Sequence, residues 1–329
     1  MWQLFLKNYT AADSSYRREL SLWLENKHDE AATIKWWQAY VYRQLGVIAE
    51  EQLQWVSAEY HYQQALQIFI ELDNRYEQAR TYHNLGVMFQ KWQQPNQANQ
   101  YYQHALRIKK EINALHSQAA TYGQLGMLAQ EQRQWVQAEE YYQQALQIFM
   151  KFNDRYEQAG TYLNLGIVAQ QQSQWKYAEE CYQLALRIFI ELNNLYKQAQ
   201  IYHNLGVVAQ NQQQRTQAEQ YYRRALQLKR ESNDLYSQAS TYGQLGKLAQ
   251  EEQQLEQSRD YFLQGLEIFV AYEDSPGIGL TLYNLAQLWQ RNGDKSILDA
   301  VTFLLNMSHS EVVELFNKML VNRPDELES

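Results

Sequence analysis

Hydrophobic and polar positions follow a helical period along this chain, and the whole pattern repeats every 40 residues. With Ala39 taken as position 1, the recurrent residues stand at positions 4, 7, 8, 20, 24 and 27 of each unit. Positions 1, 4, 7, 8 and 11 share one face of a helix with 3.6 residues per turn. Each unit is therefore expected to begin with an amphipathic helix, and its small and aromatic residues from position 20 onward fit a second helix that packs on the first.

A Leu-Gly dipeptide at positions 7 and 8 is the most regular element of the repeat. The alanine or serine at position 20 and the aromatic residue at position 24 keep the same 40-residue step. Glycine at position 8 is expected to let the aromatic side chain at position 24 approach the helix backbone closely. The six dipeptides are Leu45-Gly46, Leu85-Gly86, Leu125-Gly126, Leu165-Gly166, Leu205-Gly206 and Leu245-Gly246. Leu285-Ala286 is a degenerate seventh copy.

These offsets resemble the tetratricopeptide repeat. Units of 40 residues are similar to those of spindle-orientation scaffolds, kinesin light chains and bacterial multidomain sensors. The resemblance implies an all-α α-solenoid, in which antiparallel helix pairs form a right-handed superhelix with terminal capping helices. The proline that ends the second helix in 34-residue units is absent at position 32, so we expect this helix to run on for more than a turn. The units start near residues 39, 79, 119, 159, 199, 239 and 279.

A longer period of three units lies over the 40-residue one. Position 31 reads Phe69, Lys109, Phe149 and then Phe189, Lys229, Phe269. Both ends of the array depart from the pattern, as the end units of a stacked array must. We expect a capping helix within residues 1–34, formed by residues 11–26, and an array over 35–293. A degenerate half repeat and a capping helix opened by Ser308 and Glu311 would fill 294–321, followed by a disordered tail over 322–329.

Composition narrows the function class. The chain has 329 residues, a formal charge of -8 and one cysteine, Cys181. This balance disfavours a nucleic-acid partner, which needs a basic face. No apolar stretch is long enough for a membrane span or a secretion signal, so a cytoplasmic location and no membrane partner are expected. The abundant glutamines occupy regular helical positions, and we interpret them as mostly solvated surface.

The sequence contains no catalytic motif, cofactor motif or metal-binding pattern. The candidate binding residues lie instead on the face of each first helix that points away from the second helix. In the tetratricopeptide family, positions 2, 5, 6, 9, 12 and 13 line a concave groove. Position 6 carries an amide in every unit, which we call the amide row: Gln44, Asn84, Gln124, Asn164, Asn204, Gln244 and Asn284. Position 9 adds an apolar row: Val47, Val87, Met127, Ile167 and Val207. The basic and histidine candidates for the same groove are Arg43, Arg80, His83, His203 and Lys247.

The leading hypothesis is a non-enzymatic scaffold that holds an extended segment of a protein or peptide partner. An amide side chain donates and accepts, so the row could bind a peptide backbone whatever its side chains. Pockets over Gly123, Gly160 and Gly243 would supply specificity. The amides could instead bridge repeats or face water, and the apolar row could be packing between repeats. Two further hypotheses are a ligand-sensing arm of a larger bacterial signalling protein with an ATPase or protease effector, and a peptide-responsive regulator of an enzyme.

Overall fold

The computed structural model describes residues 31–321, which form fifteen α-helices and no β-strand. The all-α prediction is therefore confirmed for this part of the chain, whereas the segments 11–26 and 322–329 lie outside the described residues. The helices are α1 (Ala31–Glu51), α2 (Trp55–Glu71), α3 (Arg75–Lys91), α4 (Pro95–Glu111), α5 (Leu115–Glu131), α6 (Trp135–Lys151), α7 (Arg155–Gln171), α8 (Trp175–Glu191), α9 (Leu195–Asn211), α10 (Arg215–Glu231), α11 (Leu235–Glu251), α12 (Leu255–Ala271), α13 (Ser275–Asn292), α14 (Lys295–Leu305) and α15 (His309–Val321).

The chain divides into two compact units, an N-terminal half up to Thr161 and a C-terminal half from Tyr162. In the N-terminal half the helices pack as consecutive pairs, α1 with α2, α3 with α4 and α5 with α6. In the C-terminal half α9 packs with α10 and α11 with α12. Each second helix from α2 to α10 has 17 residues and includes position 32, so the longer second helix is confirmed. This succession of helix pairs is an α-solenoid.

Short turns of one recurring geometry connect the helices. After α1, Leu53 has a left-handed φ of 58°, and its N–H donates to the carbonyl of Glu50 over 2.9 Å. The next amide, that of Gln54, donates to the carbonyl of Ala49 over 2.8 Å. These two bonds form a Schellman motif, which satisfies the last carbonyls of a helix. In most turns that lead into a first helix the left-handed residue is asparagine, which tolerates that conformation best after glycine: Asn113, Asn153, Asn193 and Asn233.

The contact between positions 8 and 24 lies at the centre of each helix pair. A Cβ atom placed on Gly126 would lie 2.6 Å from the Tyr142 ring, and one on Gly86 would lie 2.5 Å from the Tyr102 ring. Both tyrosine side chains are fully buried. The predicted close approach is thus confirmed, because only a residue without Cβ fits beneath the ring.

One group of glutamines belongs to the interior. At position 40, the Gln78 side chain donates to the Phe69 carbonyl over 3.0 Å, and Gln118 donates likewise to Lys109 over 2.9 Å. Gln158 and Gln198 repeat the bond. The interpretation of the glutamines as solvated surface is wrong at this position, because each one satisfies a carbonyl at the end of the preceding helix.

The C-terminal helices share a core with the last repeats. Val312 and Phe316 of α15 are fully buried in the cluster that contains Leu285 of α13. At the start of α15, the Ser308 N–H donates to the Glu311 carboxylate over 2.8 Å, and the Glu311 N–H donates to the Ser308 hydroxyl over 3.3 Å. The predicted capping box is therefore formed in both directions.

The sequence has the same capping-box spacing at Asn74 with Glu77 and at Asp154 with Glu157, and each of these boxes is only half formed. The Asn74 side chain accepts from the Glu77 N–H over 3.1 Å, and the Asp154 side chain accepts from the Glu157 N–H over 3.3 Å. The reciprocal bond is missing at Asn74, because the Glu77 carboxylate pairs with the Arg43 guanidinium instead. Glutamate at this position therefore has a role beyond the helix end.

Two glycines on α5, three residues apart, test the account of the helix pair. Gly126→Ala should destabilise the protein by about 2–4 kcal/mol, because the added Cβ overlaps the buried Tyr142 ring. Gly123→Ala should stabilise it by about 0.5–1 kcal/mol, since no atom lies within 4 Å of the added Cβ and alanine is the better helix former. Urea unfolding measures both, and equal effects of the two substitutions would contradict the account.

Candidate ligand-binding face

The amide row lies on the first helices, next to the buried positions 7 and 8. Six of its seven side chains are partly exposed, and Asn284 is buried. The Asn204 side chain makes a hydrogen bond with Tyr182, which bridges two repeats. Within residues 31–321, the other six amides make no hydrogen bond to protein groups. Most of the row therefore keeps its donors and acceptors free, and only Asn204 follows the alternative of a bridge between repeats.

Some residues of the apolar row at position 9 pack against the core, and others are exposed. Val47 and Val87 are partly buried and pack against the core of the N-terminal half, and Val207 packs against a core cluster of the C-terminal half. Packing between repeats therefore accounts for part of this row. Met127 differs, because it is 42% exposed. Ile167 and Lys247 are partly exposed.

Arg43 is not available to a ligand, and its assignment to the groove is wrong. The residue is 1% exposed, and its guanidinium pairs with the buried Glu77 carboxylate. The same guanidinium lies 5.6 Å from the centre of the Phe69 ring. Arg80, by contrast, has a half-exposed side chain that donates to Glu77 over 3.1 Å. A buried cation without this carboxylate would cost several kcal/mol, which explains why Arg43 is bound internally.

His83 belongs to a buried polar cluster of the N-terminal half, which we call the Lys109 cluster. The Lys109 ammonium donates to the Thr121 hydroxyl over 2.6 Å and to the Ser117 carbonyl over 3.0 Å. The Thr121 oxygen lies 3.2 Å from Nδ1 of His83. Burial, aided by the nearby Lys109 charge, lowers the pKa of His83 to about 3, so the ring is neutral. The Thr121 hydroxyl lies 3.2 Å from this Nδ1 and 3.2 Å from the Ser117 carbonyl, and its one proton is shared between these two acceptors.

The C-terminal half contains the same arrangement three repeats later, the Lys229 cluster. The Lys229 ammonium donates to the Ser237 carbonyl over 2.6 Å and to the Thr241 hydroxyl over 2.7 Å. The Thr241 oxygen lies 3.0 Å from Nδ1 of His203, whose pKa is lowered to about 3 mainly by burial. Neither cluster was predicted from the sequence, although both are marked there by a lysine at position 31 followed by a threonine at position 3 of the next unit.

The lysines of the two clusters are buried and carry shifted pKa values. Burial lowers the pKa of Lys109 to about 8, with a smaller contribution from the Arg80 charge. Burial also lowers the pKa of Lys229 to about 8, although Asp234 acts in the opposite direction. Both groups are therefore ammonium ions at neutral pH whose charge the fold stabilises poorly.

Residues 31–321 contain no metal-binding cluster and no membrane-spanning helix. No group of three or more His, Cys, Asp or Glu side chains in this region could hold a metal ion. None of its helices has the length and apolar character that crossing a membrane requires. A cavity of about 210 Å³ between α4, α5 and α6 is lined by Leu125, Gln132 and Tyr141 among others, and contains no predicted site residue. It is smaller than the roughly 300–1,000 Å³ of usual small-molecule pockets.

Comparison with known proteins supports the repeat architecture. The family model described as tetratricopeptide repeat matches residues 37–111, 117–191, 157–231 and 197–269. A comparison with curated proteins finds no significant match. Among solved structures, BtubC (BKLC) from P. vanneervenii is 22% identical, with a TM-score of 0.62 over 69% of this chain and 92% of that one.

Two further solved structures share the fold over more of this chain. Aspartyl phosphate phosphatase F from Bacillus subtilis is 17% identical, with a TM-score of 0.61 over 85% of this chain and 70% of that one. A signal transduction ATPase with numerous domains from Pyrococcus horikoshii, which has a tetratricopeptide repeat sensor, is 14% identical. Its TM-score is 0.65 over 85% of this chain and 44% of the ATPase. At these identities the likeness concerns the fold alone.

The shifted lysines predict a specific dependence of stability on pH. Because the folded pKa of about 8 lies below the ordinary lysine value of 10.5, the unfolded chain holds more protons between these values, and the free energy of unfolding rises with pH in that window. The rise should reach about 3 kcal/mol per lysine. The variant Lys109→Met/Lys229→Met should lack it. Urea unfolding at pH 7 to 10 measures the difference, and parallel profiles for the two proteins would refute the prediction.

Proposed function

The chain belongs to the tetratricopeptide repeat family, and on that premise we propose that it is a non-enzymatic scaffold. In this proposal the amide row holds an extended segment of a protein partner. The observation that carries the proposal is the set of amides that make no hydrogen bond to protein groups within residues 31–321, Asn84, Gln124 and Asn164 among them. Partly exposed amides at a constant step of 40 residues suit a ligand that is itself repetitive, and a peptide backbone is such a ligand.

The contrast with other amides of the chain strengthens this proposal. At position 12, Gln90 and Gln130 accept from the hydroxyls of Tyr102 and Tyr142 over 2.7 and 3.1 Å. At position 40 the glutamines are bound to backbone carbonyls, as Gln78 is. The amides at positions 12 and 40 thus support the fold, and those of position 6 largely do not. Their retention in every repeat therefore points to a partner outside the chain.

Specificity would come from the side chains around the amide row. No atom lies within 4 Å of a Cβ placed on Gly123, Gly160 or Gly243, so a partner's side chains have room there. The exposed Met127 offers an adaptable apolar contact. Arg80 adds an exposed positive charge in the N-terminal half. These features favour a mixed apolar and polar segment.

We also infer that the chain is cytoplasmic and that its partner is a protein. The formal charge of -8 opposes binding to a nucleic-acid backbone, which would repel the chain at low salt. The chain has one cysteine, the buried Cys181, and a low cysteine content is usual in reducing compartments. No catalytic family is matched, so we assign binding without a reaction.

Selection from a display library of random 12-residue peptides tests the proposal. Peptides enriched by the wild-type chain should bind the variant Asn84→Ala/Gln124→Ala/Asn164→Ala about 100-fold more weakly, because each amide contributes about 1 kcal/mol. The matched control removes three exposed amides on second helices, Gln63→Ala/Gln143→Ala/Gln183→Ala. Circular dichroism verifies that both variants fold. Equal loss in the two variants, or no loss in either, would reject the amide row as the binding element.

A further inference from the structure

A cavity of about 210 Å³ lies between α4, α5 and α6 in the N-terminal half. The buried side chains of Leu125, Leu128 and Ala129 form its apolar floor. Its walls are polar side chains that are exposed or half-buried, so the cavity opens to solvent. No acidic or basic residue lines it. We call it the Tyr141 cavity, and its wall residues are Asn96, Asn99, Gln132, Gln134, Gln137 and Tyr141.

The walls of the Tyr141 cavity contain hydrogen-bonding groups that residues 31–321 leave unused. The Tyr141 hydroxyl accepts from Nε2 of Gln103 over 3.1 Å and from Nε2 of Gln137 over 3.2 Å. These two bonds occupy its lone pairs and leave its own hydrogen for a further acceptor. Within residues 31–321, the side-chain amides of Asn99 and Gln132 make no hydrogen bond to protein groups. The cavity therefore presents one hydroxyl donor together with amides that each donate and accept.

The equivalent place in the C-terminal half, three repeats later, is nearly closed and has a volume of about 10 Å³. Its floor again consists of two leucines and an alanine. Glu219 and Glu252 occupy the positions that Asn99 and Gln132 have in the Tyr141 cavity. The Glu219 carboxylate pairs with the Arg223 guanidinium over 2.7 Å. A closed and charged arrangement therefore fits this place, so the fold does not require the open and neutral one.

One repeat before the Tyr141 cavity, aromatic rings occupy the equivalent place. Positions 11 and 14 of the second repeat are Phe89 and Trp92, whose stacked rings have centres 5.6 Å apart. The Trp92 ring also stacks on that of Trp55, with 6.4 Å between the centres. In the third repeat the same two positions are Ala129 and Gln132, which are smaller side chains. The cavity thus arises where this chain has exchanged aromatic packing for an alanine floor and an amide wall.

Hydroxyl groups are the ligand groups that match this lining. A hydroxyl both donates and accepts, so it can bind the amides and also accept from the Tyr141 hydroxyl. A charged ligand would find no counter-charge among the lining residues, and burying a charge without one is costly. The apolar floor suits C–H groups, whose removal from water is favourable. The volume of about 210 Å³ is below the roughly 300–1,000 Å³ of drug-sized pockets, so it suits one small ring.

We propose that the Tyr141 cavity binds the pyranose ring of an uncharged sugar, either a free monosaccharide or the terminal unit of a larger glycan. The Tyr141 hydroxyl donates to one oxygen of the sugar, and the amides of Asn99 and Gln132 bind its neighbouring hydroxyls. The C–H groups of the ring lie against Leu125 and Leu128. This site shares no residue with the amide row, so it is a second binding function that goes beyond the proposed scaffold.

Titration with D-glucose, D-galactose and D-mannose tests the site, with NMR of side-chain NH2 groups and of labelled tyrosine rings as the readout. At least one sugar should give saturable shifts at Asn99, Gln132 and the Tyr141 ring, with a dissociation constant of about 1–10 mM, because a few hydrogen bonds give binding in that range.

Two variants and a control assign the binding to the cavity. Asn99→Glu/Gln132→Glu installs the residues of the closed counterpart and should weaken binding at least tenfold, followed at the Tyr141 ring. Tyr141→Phe removes only the hydroxyl and should weaken binding at least tenfold, followed at the Asn99 amide. The charge-matched control Gln147→Glu/Gln220→Glu adds two exposed carboxylates elsewhere and should bind like the wild type. Circular dichroism verifies that all variants fold, and binding unchanged in the first two would overturn the proposal.

Further probes test the chemical class of the ligand and its source. The proposal is overturned if none of the three sugars gives saturable shifts at about 100 mM. It is also overturned if cyclohexanol, with a single hydroxyl, binds as tightly as the best sugar, or if D-glucuronate binds more tightly. Methyl α- and β-glycosides of the best sugar separate the two sources. A glycoside that binds as tightly as the free sugar supports the terminal unit of a glycan, and binding of both glycosides at least tenfold more weakly supports a free monosaccharide.

Discussion

The close approach of the position-24 aromatic ring to the position-8 glycine is the constraint on which the structure depends. It sets the distance between the two helices of a repeat, since a Cβ atom at Gly86 would lie 2.5 Å from the Tyr102 ring and one at Gly126 would lie 2.6 Å from the Tyr142 ring. This contact also fixes the rotation of each first helix. Positions 7 and 8 must face the partner helix, so positions 5, 6 and 9 must face away from it or along its edge. The face offered to a ligand thus follows from the packing of the pair.

Much of the fold could be predicted from the sequence because its determinants are local. The Leu-Gly pair, the alanines and the aromatic residue lie within one 40-residue unit, and their spacing alone specifies two packed helices. The capping box of Ser308 and Glu311 is local as well, and both of its hydrogen bonds form. Where the residues that determine a structure are close together in the sequence, their spacing is enough to predict that structure.

The burial of polar residues was harder to predict, because it depends on residues that meet across repeats. Arg43 has the position of a groove residue, yet Glu77, 34 residues away, holds it in the interior. The same applies to Lys109, which reaches Thr121 in the next repeat. The position-40 glutamines are similar to many surface glutamines in composition, and only their place at a helix end reveals that they bind a carbonyl. Tertiary partners, rather than the residue type, decided these cases.

Two kinds of polar group therefore coexist in this array. One kind is bound by groups of the fold, as are the Gln78 amide, which donates to a backbone carbonyl, and the Arg43 guanidinium, which pairs with Glu77. The other kind makes no hydrogen bond to protein groups within residues 31–321, as is the case for Asn84, Gln124 and Asn164 of the amide row. In a stacked array each repeat contacts only its neighbours, so such groups are tolerated in one repeat without loss of the others. In this account, partner binding depends on the polar groups that the fold itself does not bind.

Side-chain carboxamide NMR tests this division most directly. The NH2 resonances of Asn84, Gln124 and Asn164 and those of Gln78 and Gln158 are assigned in the chain and followed while a peptide selected by the chain is added. The account predicts fast solvent exchange and large shifts for the three amide-row residues, and slow exchange with little change for the two position-40 glutamines. Protected amide-row resonances that stay unchanged at saturation would contradict it.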